Sequence, residues 1–180
     1  MTDLARHALS FSGALLLAGL ALAVSPEAAA GHLRRLPRNV WAGRLLSALA
    51  LAWGGRMLYV MPFEFLQPYK GLILPAVPVI ILLTWFCMDD FLAARSLGGL
   101  AVLVPTPLLT AVRANPSDWR LAMTLTAYAL IVGGIVLLLS PYRLRDAIGC
   151  ALKTPSRTRA VGAAAFLYGL ALGFLAFRVY

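Results

Sequence analysis

Charged residues are scarce in this chain: 13% of its 180 residues are Asp, Glu, Lys or Arg, while 61% are hydrophobic. A soluble domain is usually about 45–50% apolar, so the composition indicates a membrane protein. Only seven residues are acidic, and the net charge is +9. The basic residues fall mainly in short segments between apolar runs, as in membrane proteins that mark their cytoplasmic side. The sequence therefore predicts no nucleic-acid partner.

Residues that usually hold metals or carry catalysis are also few. The two cysteines, Cys87 and Cys150, have neither a metal-ligand spacing nor the pattern of a disulfide framework. The two histidines lie near the ends of apolar runs, which argues against a haem held by both. The sequence contains no P-loop, no G-x-S-x-G and no H-E-x-x-H. We predict no catalytic residue, no metal and no cofactor, and hence no enzyme; a membrane enzyme that uses Asp89 and Asp90 stays an alternative.

The apolar runs predict an all-α fold, a polytopic membrane helix bundle of about six transmembrane helices, since a spanning helix needs about 20 mostly apolar residues. The predicted spans are Ala8–Val24, Val40–Met61, Gly71–Met88, Phe91–Val112, Leu121–Leu139 and Ala160–Val179. The third and fourth contain two prolines each, which predicts kinked, broken or re-entrant helices. The first span, with Arg6 and His7 before it, also resembles a cleavable signal peptide.

Two basic segments set the predicted orientation. They follow the first and the fifth span, and with six spans they lie on the same side, which the positive-inside rule makes cytoplasmic. Both termini then face outward, and we predict a bacterial inner membrane protein. The basic residues expected to contact anionic lipid headgroups are Arg34, Arg35, Arg143, Arg145 and Lys153.

The two ends of the chain form an internal repeat, which is matched in the positions of serine, proline and glycine rather than in overall sequence identity. Hairpins at 8–58 and 121–180 flank a proline-rich pair of spans at 62–115, within a single membrane domain covering 1–180. The matching positions are Ser25-Pro26 with Ser140-Pro141, Pro37 with Pro155, and Gly43 with Gly162. Serine is a good N-cap and proline suits the first helical turn. Each Ser-Pro is therefore predicted to begin a short helix that lies in the membrane interface.

The second hairpin resembles the YjeT-like family of small inner-membrane proteins, a domain of unknown function. The matching positions are Gly134, Pro141, Arg145, Pro155, Arg159, Gly162 and Gly169. The first hairpin matches this pattern more loosely. The resemblance implies a membrane hairpin at each end of the chain, and it brings no established activity with it.

Polar residues near the spans are the candidate sites. Asp89 and Asp90 could carry protons or cations, or one of them could cap the next helix, and Arg95 or Arg44 could neutralise them. Arg56 lies inside the second span, where it is either functional or extends to the interface, with Glu64 as a possible partner.

The small residues Gly169 and Gly173 predict close helix packing, within the chain or in a dimer.

Two functions compete on these observations. The first is a non-catalytic accessory or scaffolding subunit in the lipid bilayer, acting through helix–helix contacts with other membrane proteins or by self-association. The second is a small transporter or channel that uses Asp89, Asp90 and the proline-broken central spans. The repeat relates the first two spans to the last two in the same orientation, unlike the inverted repeats of many secondary transporters.

Overall fold

The computed structural model describes residues 3–62, 64–88, 91–114, 117 and 119–178. Within these residues the chain forms nine α-helices, two short 3-10 helices and no strands, which confirms the all-helical prediction. The α-helices are α1 Asp3–Val24, α2 Pro26–Arg35, α3 Val40–Val60, α4 Lys70–Cys87, α5 Leu92–Leu103, α6 Pro105–Ala114, α7 Arg120–Leu139, α8 Tyr142–Ala151 and α9 Pro155–Arg178. The 3-10 helices are Leu36–Arg38 and Glu64–Tyr69.

Five segments of the described chain are long and apolar enough to cross a membrane. They are Asp3–Val24, Gln67–Cys87, Leu92–Ala114, Arg120–Leu139 and Pro155–Arg178. They correspond to five of the six predicted spans. The remaining one, α3, has 21 residues, but Arg44 and Arg56 lower its apolarity and it does not join the five.

The two proline-rich spans behave differently. α4 continues as one helix through Pro75 and Pro78, so it is not broken. The fourth predicted span stops at Val104 and divides into α5 and α6, with Pro105 as the first residue of α6. The first turn of a helix tolerates proline, because no intrahelical partner awaits its missing N–H there.

Short helices follow both Ser-Pro pairs. Pro26 is the first residue of α2, and Pro141 directly precedes α8. The serines, however, belong to the spans before them: the Ser25 amide donates to Ala21 at 3.1 Å, and the Ser25 hydroxyl donates to the same carbonyl at 3.0 Å. Within the described chain, no amide of α2 donates to the Ser25 hydroxyl, so the serine side chain does not cap α2. Proline, rather than a serine cap, therefore sets the start of α2.

The chain divides into two compact units. Unit 1 comprises Met1–Arg35, Val104–Ile131 and Arg145–Tyr180, and unit 2 comprises Leu36–Leu103 and Val132–Leu144. The units do not follow the predicted hairpins, because α1 and α9 come from opposite ends of the chain and share unit 1. The small-residue faces of α1 and α9 pack against each other in unit 1.

In unit 1, α1 and α9 run antiparallel, since Ser12 lies beside Gly169 and Gly19 lies beside Gly162. Where α1 begins and α9 ends, α6 and the start of α7 complete the core. Its buried residues are Leu4, Ala8, Leu108, Ala111, Val112, Met123, Ala127, Leu172 and Ala176. At the opposite end of α1, a smaller cluster joins α1, α2 and the residue after α8. Its buried residues are Leu22, Ala30 and Leu152.

In unit 2, α3 packs against α4 and α5, and α5 also packs against the second half of α7. Asn39 caps α3, because its side-chain oxygen accepts a hydrogen bond from the Ala42 amide at 3.2 Å. Small residues make these contacts close. An added Cβ on Gly43 would lie 3.0 Å from the Ala93 nitrogen, and one on Gly55 would overlap a methyl group of Val77.

Candidate functional site

Glycines bring α1 and α9 into backbone contact in unit 1. A Cβ added to Gly19 would lie 2.7 Å from the Gly162 carbonyl oxygen, and one added to Gly162 would lie 2.8 Å from the Gly19 carbonyl oxygen. Both distances are shorter than real Cβ contacts, so each position admits only glycine unless the helices separate. The Ser12 hydroxyl also donates to the Gly169 carbonyl at 2.8 Å. A close, hydrogen-bonded crossing of this kind is typical of helix pairs in membranes.

The predicted packing residues Gly169 and Gly173 lie on this same face of α9. An added Cβ on Gly169 would approach Leu15 and Leu16 at 3.1 Å, and one on Gly173 would lie 2.8 Å from the Ser12 hydroxyl. The face is thus filled by the chain's own first helix. A helix from a partner protein would have to use another surface.

A second glycine crossing joins α5 and α7 in unit 2. A Cβ added to Gly98 would lie 2.8 Å from the Gly134 carbonyl oxygen, and the reciprocal distance is 2.7 Å. Gly134 lies six residues before Ser140, just as Gly19 lies six residues before Ser25.

The partner glycines share a spacing too. Arg95 precedes Gly98 by three residues, as Arg159 precedes Gly162. Sequence reasoning did not use this Arg-x-x-Gly spacing, which was the signal available to find the contact between α5 and α7.

A cleft of about 240 Å³ lies in unit 1 between α2, the segment after α8 and the start of α9. Three charged residues line it: Glu27 and Arg34 from α2, and Lys153 from the segment before α9. The Arg34 guanidinium donates to the Leu152 carbonyl, which ties α2 to the second basic segment. Leu152 and Thr158 form buried parts of the wall, with 4% and 1% of their surface exposed.

The structure thus brings together two of the five residues predicted to contact lipid headgroups. Arg34 and Lys153 lie in one cleft although 118 residues separate Arg34 from its hydrogen-bond partner beside Lys153. Arg35 is exposed next to Arg34 but does not line the cleft. Arg143 and Arg145 are exposed on α8, where Arg145 pairs with Asp146 at 3.3 Å.

An arginine held between two tryptophans lies near the start of α3 in unit 2. The Arg44 guanidinium is 5.8 Å from the ring centre of Trp41 and 5.9 Å from that of Trp85, within the range of cation–π contacts. The Trp85 indole N–H donates to the Ser47 hydroxyl at 3.0 Å. Sequence reasoning used Arg44 only as a positive charge and missed this cluster. Its signal was the i,i+3 spacing of Trp41 and Arg44.

The predicted acidic site is only partly accounted for, because Asp89 and Asp90 lie outside the described residues. Arg95 points one guanidinium nitrogen at the Met88 sulfur, 3.9 Å away. Its Nε is buried and makes no hydrogen bond within the described part of the chain. Phe91, just before α5, has a φ of 56°, a left-handed conformation that is costly for a bulky residue.

The remaining candidate residues, Arg56 and the two cysteines, lie outside the clusters described above. Arg56 is exposed four residues before the end of α3, and among the described residues no ion pair joins it to its predicted partner Glu64. Both cysteines are free and exposed. The described residues contain no group of three His, Cys, Asp or Glu side chains that could hold a metal ion.

Comparisons with protein families, with curated proteins and with solved structures find no match to this chain. The resemblance of the hairpins to the YjeT-like family stays a prediction. The geometry of the two units is therefore the basis for a functional proposal.

Proposed function

We propose that this protein is a six-span integral membrane protein that acts as an accessory subunit, through helix–helix contacts with other membrane proteins. Five helices of spanning length support the membrane location. α3 suits a sixth span, because its two charges lie towards its ends. Arg44 stacks on tryptophans, which favour the interface. Arg56 is close enough to the last turn for its long side chain to extend to water.

The contacts within unit 1 support the proposed orientation, with both termini outside the cytoplasm of a bacterial inner membrane. Leu4 and Ala176 belong to one cluster, so α1 begins where α9 ends. Leu22 and Leu152 belong to the other cluster, so the two basic segments share the opposite end of the unit. An even number of crossings would produce this arrangement, and the positive-inside rule would make the basic end cytoplasmic.

The observation that carries the accessory role is the exposure of α4. None of the residues in its spanning segment is buried, whereas the other four segments bury between 17% and 28% of theirs. α4 inserts Val77 against Gly55 of α3 and leaves large side chains such as Leu82 and Phe86 exposed. A span that uses so little of its surface within its own chain leaves a complete face for another helix.

Two prolines on that face favour a protein neighbour over lipid. Pro75 and Pro78 lack the N–H groups that would bond the carbonyls of Gly71 and Leu74, and all four residues are exposed. A backbone carbonyl without its helical donor is costly in the hydrocarbon layer, and neighbouring helices or Ser and Thr side chains usually satisfy it. We propose a transmembrane helix with hydrogen-bond donors as the partner of α4.

Site-specific photo-crosslinking tests the accessory role. A photoreactive residue in place of Leu82 on α4 is expected to yield protein adducts in the membrane, and the purified complex is expected to exceed the mass of a monomer in mild detergent. The matched control is Leu125 on α7, which is also exposed and is expected to label lipid. A monodisperse monomer with identical labelling at both positions would contradict the proposal.

The interruption at Val104 favours a second candidate, a small transporter or channel. Broken spans line the substrate sites of many transporters, where their freed backbone groups coordinate ions. Asp89 and Asp90 precede α5, the first half of this interrupted span. Ion flux into vesicles that contain the purified protein, lost on Asp89→Asn, would support this candidate over the accessory role.

A further inference from the structure

The cleft between α2, the segment after α8 and the start of α9 holds charges of both signs. Arg34 and Lys153 supply two cations, and Glu27 supplies one anion. Within the described residues, neither Lys153 nor Glu27 makes a side-chain hydrogen bond or an ion pair. The Arg34 guanidinium donates one N–H to the Leu152 carbonyl. Because a guanidinium has five N–H groups, others remain for a ligand. All three side chains are therefore available to a ligand.

These charges come from side chains rather than from the helix end beside them. The amides of Arg157 and Thr158 in the first turn of α9 are already bonded to Thr154, at 3.3 Å and 3.0 Å. The Thr158 hydroxyl also donates to the Thr154 carbonyl. An anion in the cleft would thus be held by Arg34 and Lys153.

The size and place of the cleft narrow the choice of ligand. Its volume of about 240 Å³ is below the roughly 300–1,000 Å³ of pockets that hold drug-sized molecules. Pro26, which directly follows the span α1, and Pro155, which begins the span α9, both line it. In the proposed orientation, the headgroups of the cytoplasmic leaflet lie at this level.

We infer that this cleft binds a phosphate ester that carries a primary ammonium group, the headgroup of an ethanolamine phospholipid. The phosphate lies against Arg34 and Lys153, which form charge-assisted hydrogen bonds with its oxygens. The ammonium group donates to Glu27. A glycerol headgroup would leave the Glu27 carboxylate facing the phosphate without a cation. A choline headgroup has no N–H to donate to it.

The test is lipid retention, and it rests on the membrane location but not on the accessory role. The full chain is placed in vesicles of equal parts phosphatidylethanolamine, phosphatidylglycerol and phosphatidylcholine, extracted in mild detergent, and analysed by native mass spectrometry. We expect phosphatidylethanolamine to be retained above its share. Lys153→Gln should lower this retention about tenfold, as loss of a charged hydrogen bond implies. Arg157→Gln, which removes an exposed charge of α9 that does not line the cleft, should leave it unchanged.

Glu27→Gln provides the sharper test, since it should shift retention from phosphatidylethanolamine towards phosphatidylglycerol without loss of total lipid. Soluble phosphoethanolamine is the second arm: saturable binding in detergent, with no lipid enriched, would support the same chemistry and assign the ligand to a soluble compound. Retained lipid that mirrors the bulk mixture, with no binding of phosphoethanolamine, would overturn the inference, as would equal effects of Lys153→Gln and Arg157→Gln.

Resistance of the protein to alkaline extraction from the vesicles reports membrane insertion separately. Failure of the site and failure of the membrane assignment are thus distinguishable.

Discussion

The adjacent glycines of α7 allow the close α5–α7 contact to be tested within one helix turn. A Cβ added to Gly134 would lie 2.7 Å from the Gly98 carbonyl oxygen and 2.8 Å from a methyl group of Val102, whereas one added to Gly133 would meet nothing within 4 Å. Alanine at either position gains about 1 kcal/mol of helix propensity over glycine. Only Gly134→Ala also creates a steric clash, between the new methyl group and α5.

The cost at Gly134 follows from what the new methyl group meets. The Gly98 oxygen belongs to the backbone, so it moves only if α5 and α7 separate along their length. Overpacking of this kind costs about 1–3 kcal/mol. Since both variants share the same gain in propensity, we expect Gly134→Ala to be less stable than Gly133→Ala by about that amount.

Thermal unfolding in mild detergent, followed by circular dichroism, measures the difference. For a chain of this length, 1 kcal/mol corresponds to about 2–4 °C in Tm, so the two variants should differ by about 2–12 °C, with Gly133→Ala at or above the Tm of the unmodified protein. Equal Tm values for the two variants would show that α5 and α7 do not meet at these glycines. A lower Tm for Gly133→Ala than for Gly134→Ala would show that Gly133, rather than Gly134, lies against α5.

Three further predictions address other parts of the chain. Gly19→Ala should lower Tm by several degrees relative to Gly13→Ala on the same helix, because only Gly19 faces the backbone of α9; equal effects would contradict the α1–α9 crossing. Trp85→Phe keeps a ring beside Arg44 but removes the N–H bonded to α3, so it should cost about 1 kcal/mol in detergent unfolding. Trp41→Phe, at an exposed position, should be neutral, and the reverse order would argue against the hydrogen bond. A reporter that is active only in the cytoplasm, fused after Tyr180, should stay silent in cells, and strong activity would overturn the proposed orientation.

Local signals in the sequence were enough to place the helices. Apolar runs predicted the long helices, and proline marked where several of them begin: Pro26 begins α2, Pro105 begins α6 and Pro155 begins α9. These features act within a few residues, because a missing N–H affects only its own turn. The same chemistry left the outcome at Pro75 open, since a helix can kink or continue there, and α4 continues.

Contacts between distant parts of the chain were harder to predict. The cleft depends on Arg34 reaching Leu152, and no local pattern records that pairing. The glycines were visible as small-residue positions, but their partners were not, because a glycine gives the same signal whether it faces lipid, its own chain or another protein. Gly133 and Gly134 illustrate this: they are adjacent and identical in sequence terms, yet only one of them lies against α5.

The two glycine crossings nevertheless follow one rule. In each, a span that ends in Ser-Pro presents a glycine six residues before the serine, at Gly19 and Gly134. In each, the partner helix presents a glycine three residues after an arginine, at Gly162 and Gly98. Neither partner is the second span of the same hairpin: α1 pairs with α9, and α7 pairs with α5. The glycine crossings therefore do not follow the predicted hairpins, although α7 and α9 of the second hairpin also meet in the core of unit 1. A basic segment joins the two spans of each predicted hairpin, and in unit 1 the basic segments of both hairpins meet at one cleft.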